Sequence, residues 1–165
     1  MNYNIRKKLK EDCFKVHHVT VISWNETYKG IIPDDFLKNM LVDEKKIAKK
    51  IYYEFDNKDY FSLVLEVDNV IVGFANYGSS SENIENCGEI FALYILKDFQ
   101  GYGFGKKLVE ACIQELKKFN YDKMIISCLK GNPSNEFYVH IGGKKIKERI
   151  FEKLNLPENV YLFDI

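Results

Sequence analysis

The sequence has no excess charge, no long apolar run and no paired cysteines, and each lack closes off a class of protein. Its 24 basic and 24 acidic side chains cancel, and the isoelectric point lies near 6.8. That balance gives no electrostatic case for nucleic acid or an anionic membrane surface as partner. No apolar stretch approaches the roughly 20 residues that a membrane span needs. Met1 to Lys8 is polar and is not followed by the apolar segment of a signal peptide, so a cytoplasmic protein is expected. Cys13, Cys87, Cys112 and Cys128 are scattered, with neither C-x-x-C spacing nor a histidine at ligand spacing, and no metal site is expected. Cys112 falls on the apolar face of a helix and Cys128 within a strand, positions that suit free, buried thiols in a reducing compartment. His17 and His18 are adjacent, point in different directions on a helix, and make a poor chelating pair. No Cys or Ser stands with a base in a nucleophile arrangement. No repeat, low-complexity tract or linker interrupts the chain, and residues 1–165 are expected to form one domain.

What is there centres on Gln100-Gly101-Tyr102-Gly103-Phe104-Gly105-Lys106-Lys107. Before it runs Glu89 to Leu96, apolar and rich in β-formers. After it Leu108, Val109, Cys112, Ile113, Leu116 and Phe119 recur at helical spacing, with charged residues on the opposite face. A strand that turns through glycines into a helix leaves the first N–H groups of the helix without partners. Those donors and the positive end of the helix dipole suit phosphate oxygens. Two familiar phosphate loops do not fit. The dinucleotide fingerprint needs glycine where Lys106 stands, and the P-loop needs a hydroxyl where Lys107 stands.

The rest of the chain reads in order. Tyr3 to Leu9 is expected as a strand, and Cys13 to about Ser23 as a helix weakened by its Val-Thr-Val-Ile run. Trp24 to Pro33 reads as an aromatic-rich break. A short helix to Met40 follows, then a longer one from Asp43 to Phe55. Phe61–Val67 and Val70–Tyr77 form a hairpin across a two-residue Asp68-Asn69 turn. Ser79 to Cys87 is a polar loop, Lys123 to Leu129 a strand, and Ser134 to Ile141 a short helix stopped by Gly142-Gly143. Lys144–Lys153 and Asn159–Asp164 close the chain as a hairpin. This order of elements predicts a single three-layer α/β/α domain with a mixed, mostly antiparallel central sheet.

The spacing Q-x-x-G-x-G at Gln100–Gly105, together with Asn132 and Phe137-Tyr138, resembles the GNAT superfamily of N-acetyltransferases. The resemblance is specific from Gly88 to Gly143. It implies acetyl transfer from acetyl-CoA to a primary amine of a small molecule or peptide, by direct attack in a ternary complex. A non-catalytic acyl-CoA-binding or regulatory module on the same fold is the alternative. By position, the resemblance implies that the backbones of Leu93, Tyr94 and Ile95 hold the thioester and pantetheine. It implies that Gln100, Gly101, Tyr102, Gly103, Phe104, Gly105 and Lys106 cradle the pyrophosphate. The Lys106 and Lys107 side chains either add charge there or belong to a solvated helix face. Asn132, Ser134 and Phe137 fall at coenzyme-binding positions, although the segment from Asn132 to Tyr138 is one residue shorter than the commonest family spacing.

Tyr138 matches the family's general acid. A phenol can supply a proton to a departing thiolate. Glu89 matches the glutamate base of some members, and a charge at the start of a buried strand is costly unless used. Glu26 and Glu85 are the other base candidates. Trp24, Tyr28, Asp34, Asp35 and Tyr77 are candidates for the acceptor pocket, where aromatics and carboxylates suit a cationic amine. Trp24 and Tyr28 read equally well as core. A homodimer is allowed.

Overall fold

A computed structural model describes all 165 residues. The elements run β1 (Tyr3–Lys7), α1 (Cys13–Thr27), α2 (Asp34–Val42), α3 (Glu44–Tyr53), β2 (Phe61–Val67), β3 (Val70–Ser79), β4 (Cys87–Ile95), α4 (Phe104–Lys117), β5 (Lys123–Leu129), α5 (Ser134–His140), β6 (Lys144–Phe151) and β7 (Leu156–Asp164). Seven strands form one sheet in the order β1-β2-β3-β4-β5-β7-β6. Every neighbouring pair is antiparallel except β4 with β5. The expected mixed, mostly antiparallel sheet is therefore present, and the three helices read ahead of β2 all form. No helix is long and apolar enough to cross a membrane.

Alternation along the central strands sorts the helices into two layers. On one face Val64 and Phe74 meet Val16 and Val19 of α1. On the other, Leu63, Ala75 and Tyr77 meet Leu108, Val109, Cys112 and Leu116 of α4, and Tyr138 of α5 joins the same cluster. Leu108 and Leu116 are fully buried, so truncating Leu108 to Ala removes packing worth about 2–5 kcal/mol. The β2–β3 turn places both Asp68 and Asn69 at positive φ (48° and 66°), the twist that a two-residue hairpin turn requires.

Several boundaries differ from expectation. α1 runs on through Trp24 to Thr27, so the aromatic break begins one helical turn later. Burial of Val16, Val19 and Val21 outweighs the low helix propensity of the β-branched run. β3 extends to Ser79 and β4 starts at Cys87, which shortens the polar loop to residues 80–86. β7 begins at Leu156 and takes in Pro157, which pairs with Ile150 near the start of the strand, where a missing N–H is tolerated.

One irregularity shapes everything that follows. β4 pairs with β5 only from Cys87 to Ile90. On its other edge, Ile90 faces Tyr77 while Ala92 faces Asn76, so Phe91 is an extra residue in the ladder. Such a bulge bends the strand. From Phe91 onward β4 stays with β3 and parts from β5, and a cleft opens between them.

Candidate active site

The cleft has a volume of about 950 Å³, and its walls come from β4, β5, the start of α4, α5, the end of α1 and the β6–β7 hairpin. Along β4, successive residues turn their backbone groups to opposite edges. Leu96 N–H bonds to Val72 C=O in β3, while Gln100 Nε2 donates to Ile95 C=O at 2.8 Å from the far side. Leu93 and Ile95 therefore present their backbones to the open edge. Tyr94 does not, for its carbonyl lies against Gly73 of β3. This corrects the expectation that all three backbones line the site: Tyr94 contributes its ring, beside Trp24 and Phe74. Burial pushes the Tyr94 phenol up to about 12.

The glycine corner lies at one end, past the last residue of β4. Gly101 and Gly103 have φ of 83° and 81°, a region that L side chains rarely adopt, and Gly103 caps α4. The first backbone bond of the helix is Lys107 N–H to Gly103 C=O, and the N–H groups of Gly101 to Lys106 have no acceptor within the protein. Gln100, Gly101, Gly103, Gly105 and Lys106 line the cleft. The Tyr102 and Phe104 side chains do not. Tyr102 is exposed, and Phe104 is buried against Tyr3 and the Leu65–Val72 cluster. These two residues offer only their N–H groups. Lys107 also turns away, with its ammonium 4.9 Å over the Tyr3 ring.

On the opposite wall, Ser134, Phe137 and Tyr138 of α5 face the cleft. A Cβ on Gly105 would sit 3.1 Å from the Phe137 ring, so the lack of a side chain there lets α4 and α5 approach. Tyr138 is buried, and its hydroxyl makes no hydrogen bond within the protein. Burial, with Cys128, Tyr94 and Tyr28 nearby, pushes its pKa well above the ordinary phenol value, so the group keeps its proton. Cys128 also lines the cleft. Burial and Glu158 push its thiol up to about 12, which leaves it a poor nucleophile. All four cysteines are free and buried.

Asn132 lines the cleft, but its amide is already engaged. Nδ2 donates to the Tyr28 hydroxyl at 2.9 Å, and Oδ1 accepts the Ser134 N–H at 2.8 Å. The side chain thus joins the α1 end of the cleft to the first turn of α5.

The Glu89 end is polar and comes from distant parts of the chain. Glu89 is 3% exposed and faces the cleft. Its Oε1 accepts the Ser81 N–H at 2.9 Å and the Ser81 hydroxyl at 2.6 Å. Arg149 Nη2 lies 3.7 Å from Oε2. Arg149 also donates to Glu158 at 2.6 Å and to Glu82 at 3.1 Å. Glu26 and Glu85, the other base candidates, are exposed and lie outside the cleft. Of the acceptor candidates, Trp24 and Tyr28 line it; both also belong to a buried cluster with Leu37 and Leu129. Asp34 and Asp35 sit on exposed α2, and Tyr77 is locked in the α4-side core, so these three are not cleft residues.

Sequence reasoning missed Ser81, Arg149, Glu158, Phe151 and Ser23, all cleft residues. One signal was available for Arg149. The chain holds only two arginines, Arg6 and Arg149, among 24 basic side chains, and each grips at least two carboxylates. That is a task for a planar five-donor fork rather than for lysine. No group of three or more His, Cys, Asp or Glu side chains that could hold a metal ion occurs.

A splayed parallel strand pair that opens onto a glycine-capped helix, with a buried tyrosine on the facing helix, is the architecture of an acyltransferase. The chain belongs to the acetyltransferase (GNAT) family, whose model matches residues 17–142. It is 28% identical over 155 residues to an uncharacterized N-acetyltransferase of Bacillus subtilis, YuaI, covering 90% of this chain and 84% of that one. A spermidine N(1)-acetyltransferase of Thermoplasma acidophilum is 26% identical over 143 residues, covering 85% and 80% of the two chains. Among solved structures, the PaiA N-acetyltransferase of Thermoplasma acidophilum in complex with coenzyme A superimposes with a TM-score of 0.78 over the full length of both chains at 21% identity. YncA of Salmonella typhimurium with acetyl-CoA gives 0.70 at 20% identity, covering 99% of this chain and 94% of that one.

Proposed function

We propose that the protein moves the acetyl group of acetyl-CoA to a primary amine of a small molecule or peptide, by direct attack within a ternary complex in the cytoplasm. The observation that carries this reading is the single cleft that holds unpartnered helix N–H groups at one end, Tyr138 in the middle and Glu89 at the other. The residues present fit the coenzyme. The N–H groups of Gly101 to Lys106 suit the pyrophosphate, and the open edge of β4 at Leu93 and Ile95 suits the pantetheine arm and acyl oxygen. Bound there, acetyl-CoA supplies an acyl group on a thiolate leaving group.

The chain's own residues then have two protons to move. A free alkylamine is rare at pH 7, where reaching the neutral form costs about 4–5 kcal/mol. Glu89 takes the amine proton, directly or through water, on the oxygen that Ser81 leaves free. The Tyr138 hydroxyl gives its proton to the departing sulfur as the carbon–nitrogen bond replaces the carbon–sulfur bond. Its raised pKa suits this role, because the phenol carries its proton near neutral pH.

The acceptor end combines Trp24, Tyr28 and Phe151 with Glu89 and Glu158, a lining for a cationic amine. Together with the spermidine-acetylating relative, this puts alkyl polyamines first in a screen, followed by amino acids, peptide N-termini and aminoglycosides. The test is thiol release from acetyl-CoA with each amine. Turnover with one class is expected. Tight coenzyme binding with no turnover on any amine would favour the binding-module alternative.

A further inference from the structure

The geometry points to Arg149 as a positioning residue that holds Glu89 in place as the base, acting both directly and through the Ser81 hydroxyl. This rests on the reading of Glu89 as base. Glu89 is nearly inaccessible, and a buried carboxylate is costly unless paired and hydrogen-bonded. Its two oxygens are treated differently. Oε1 is occupied twice, by the Ser81 N–H and hydroxyl. Oε2 has Arg149 Nη2 at 3.7 Å, close enough to supply compensating charge and too far to use up the lone pair in a hydrogen bond. One oxygen is therefore anchored, and the other stays open toward the cleft.

The same arginine fixes the anchor. Its Nη1 donates to Ser81 Oγ at 3.0 Å. A hydroxyl that accepts from a guanidinium turns its own proton the other way, here to Glu89 at 2.6 Å. Arg149 is itself held rigid by Glu158 on Nε at 2.6 Å and Glu82 on Nη1 at 3.1 Å, and Lys147 steadies Glu82 at 3.2 Å. The charged groups around Glu89 are thus Arg149 and Lys147 on β6, Glu158 on β7 and Glu82 in the loop of residues 80–86. Cys87 lies two residues away on its own strand, and its register partners, Ile125 and Gly78, carry no charge. Through Arg149 and Lys147 the edge strand β6 meets the 80–86 loop at the Glu89 end of the cleft.

The experiment is a double-mutant cycle read across pH, with acetyl-CoA and the amine found to turn over. Arg149→Met is expected to lower kcat near neutrality by about 10-fold and leave acetyl-CoA affinity within about twofold. The ratio of variant to wild-type rate should climb toward pH 10, where free amine is abundant without a base. Arg149→Lys should recover part of the loss. Ser81→Ala, which keeps the N–H and removes the relay hydroxyl, should cost about 2- to 5-fold with the same pH signature. In a Glu89→Gln background, Arg149→Met should add less than about twofold, because residues acting as one unit are not additive. Multiplying losses in the double variant, or a pH-independent Arg149→Met ratio beside a pH-dependent Glu89→Gln ratio, would overturn the positioning role and leave the base assignment standing. A flat Glu89→Gln ratio would remove the base, and this role with it. Thermal melts guard against misfolding of Arg149→Met; if it does not fold, Arg149→Lys and Ser81→Ala carry the test.

Discussion

The two ends of the cleft are built from different materials. The glycine end is made of backbone: the open edge of β4, two glycines at positive φ and the first amides of α4, all within Leu93 to Lys106. The Glu89 end is made of side chains from far apart, with Trp24 and Tyr28 from α1 and its end, Ser81 from a loop, and Arg149 and Glu158 from the last hairpin. Backbone donors recognise a constant, multiply charged group and need only a fixed path of the chain. Side chains can be exchanged singly without moving that path. The glycine end therefore suits the part of the reaction that a family shares, and the Glu89 end suits the part on which its members differ.

The comparison breaks most readily at the glycines. Gly103→Val forces a β-branched residue to a φ of 81°, and Gly105→Val drives a side chain into the Phe137 ring, 3.1 Å from its Cβ. Either change moves the amides off the phosphate positions, and acetyl-CoA binding by calorimetry is expected to fall below detection in a folded variant. Unchanged affinity would mean that the glycine end is not the coenzyme end.

Next in size is Tyr138→Phe. The ring packing is kept and only the hydroxyl is lost, so kcat should drop by roughly 10- to 1,000-fold while acetyl-CoA affinity hardly changes. The residual rate reflects a thiolate that leaves partly unaided. Since burial raises the pKa of Tyr138 above that of a free phenol, the wild-type rate should show no alkaline fall below about pH 9 from loss of this proton. A fall at lower pH would assign the acid to another group.

Glu89→Gln should be milder and pH-dependent. The rate loss is largest near neutrality and shrinks toward pH 10, as amine deprotonation ceases to need help. A constant ratio of the two rates from pH 7 to 10 would exclude Glu89 as base.

The same contrast explains how much was readable beforehand. Glycine spacing, an apolar strand before it and a helical period after it are local patterns, so the glycine corner, the short helix that carries Tyr138 and the mixed, mostly antiparallel sheet were legible. Glu89 was legible too, as a charge in a strand with little reason to carry one. The bulge at Phe91 was not, since the residue fits a continuous strand and only the pairing with β3 reveals it. Arg149 was missed because it lies in a run of charges on an exposed edge strand, where a solvated face is the ordinary reading. Asp34, Asp35 and Tyr77 were placed at the site by residue type alone. Packing decided otherwise.

The smallest expected effect tests where the two ends meet. The Tyr28 hydroxyl accepts the Asn132 amide at 2.9 Å, and Asn132 holds the first turn of α5, which carries Tyr138. Tyr28→Phe leaves a buried amide donor without its partner, at about 1 kcal/mol or somewhat more. For a chain of this size that lowers the thermal midpoint by about 2–4 °C. The ring remains in its cluster, 4.9 Å from Trp24, and α5 keeps its Ser134 contact, so kcat and acetyl-CoA affinity should stay within about threefold. If the melt shifts as stated and the kinetics do not, the bond is a structural tie between wall and helix. A kcat loss approaching that of Tyr138→Phe would instead make Tyr28 part of the proton path. The division into a backbone-built coenzyme end and a side-chain-built acceptor end would then fail at their junction.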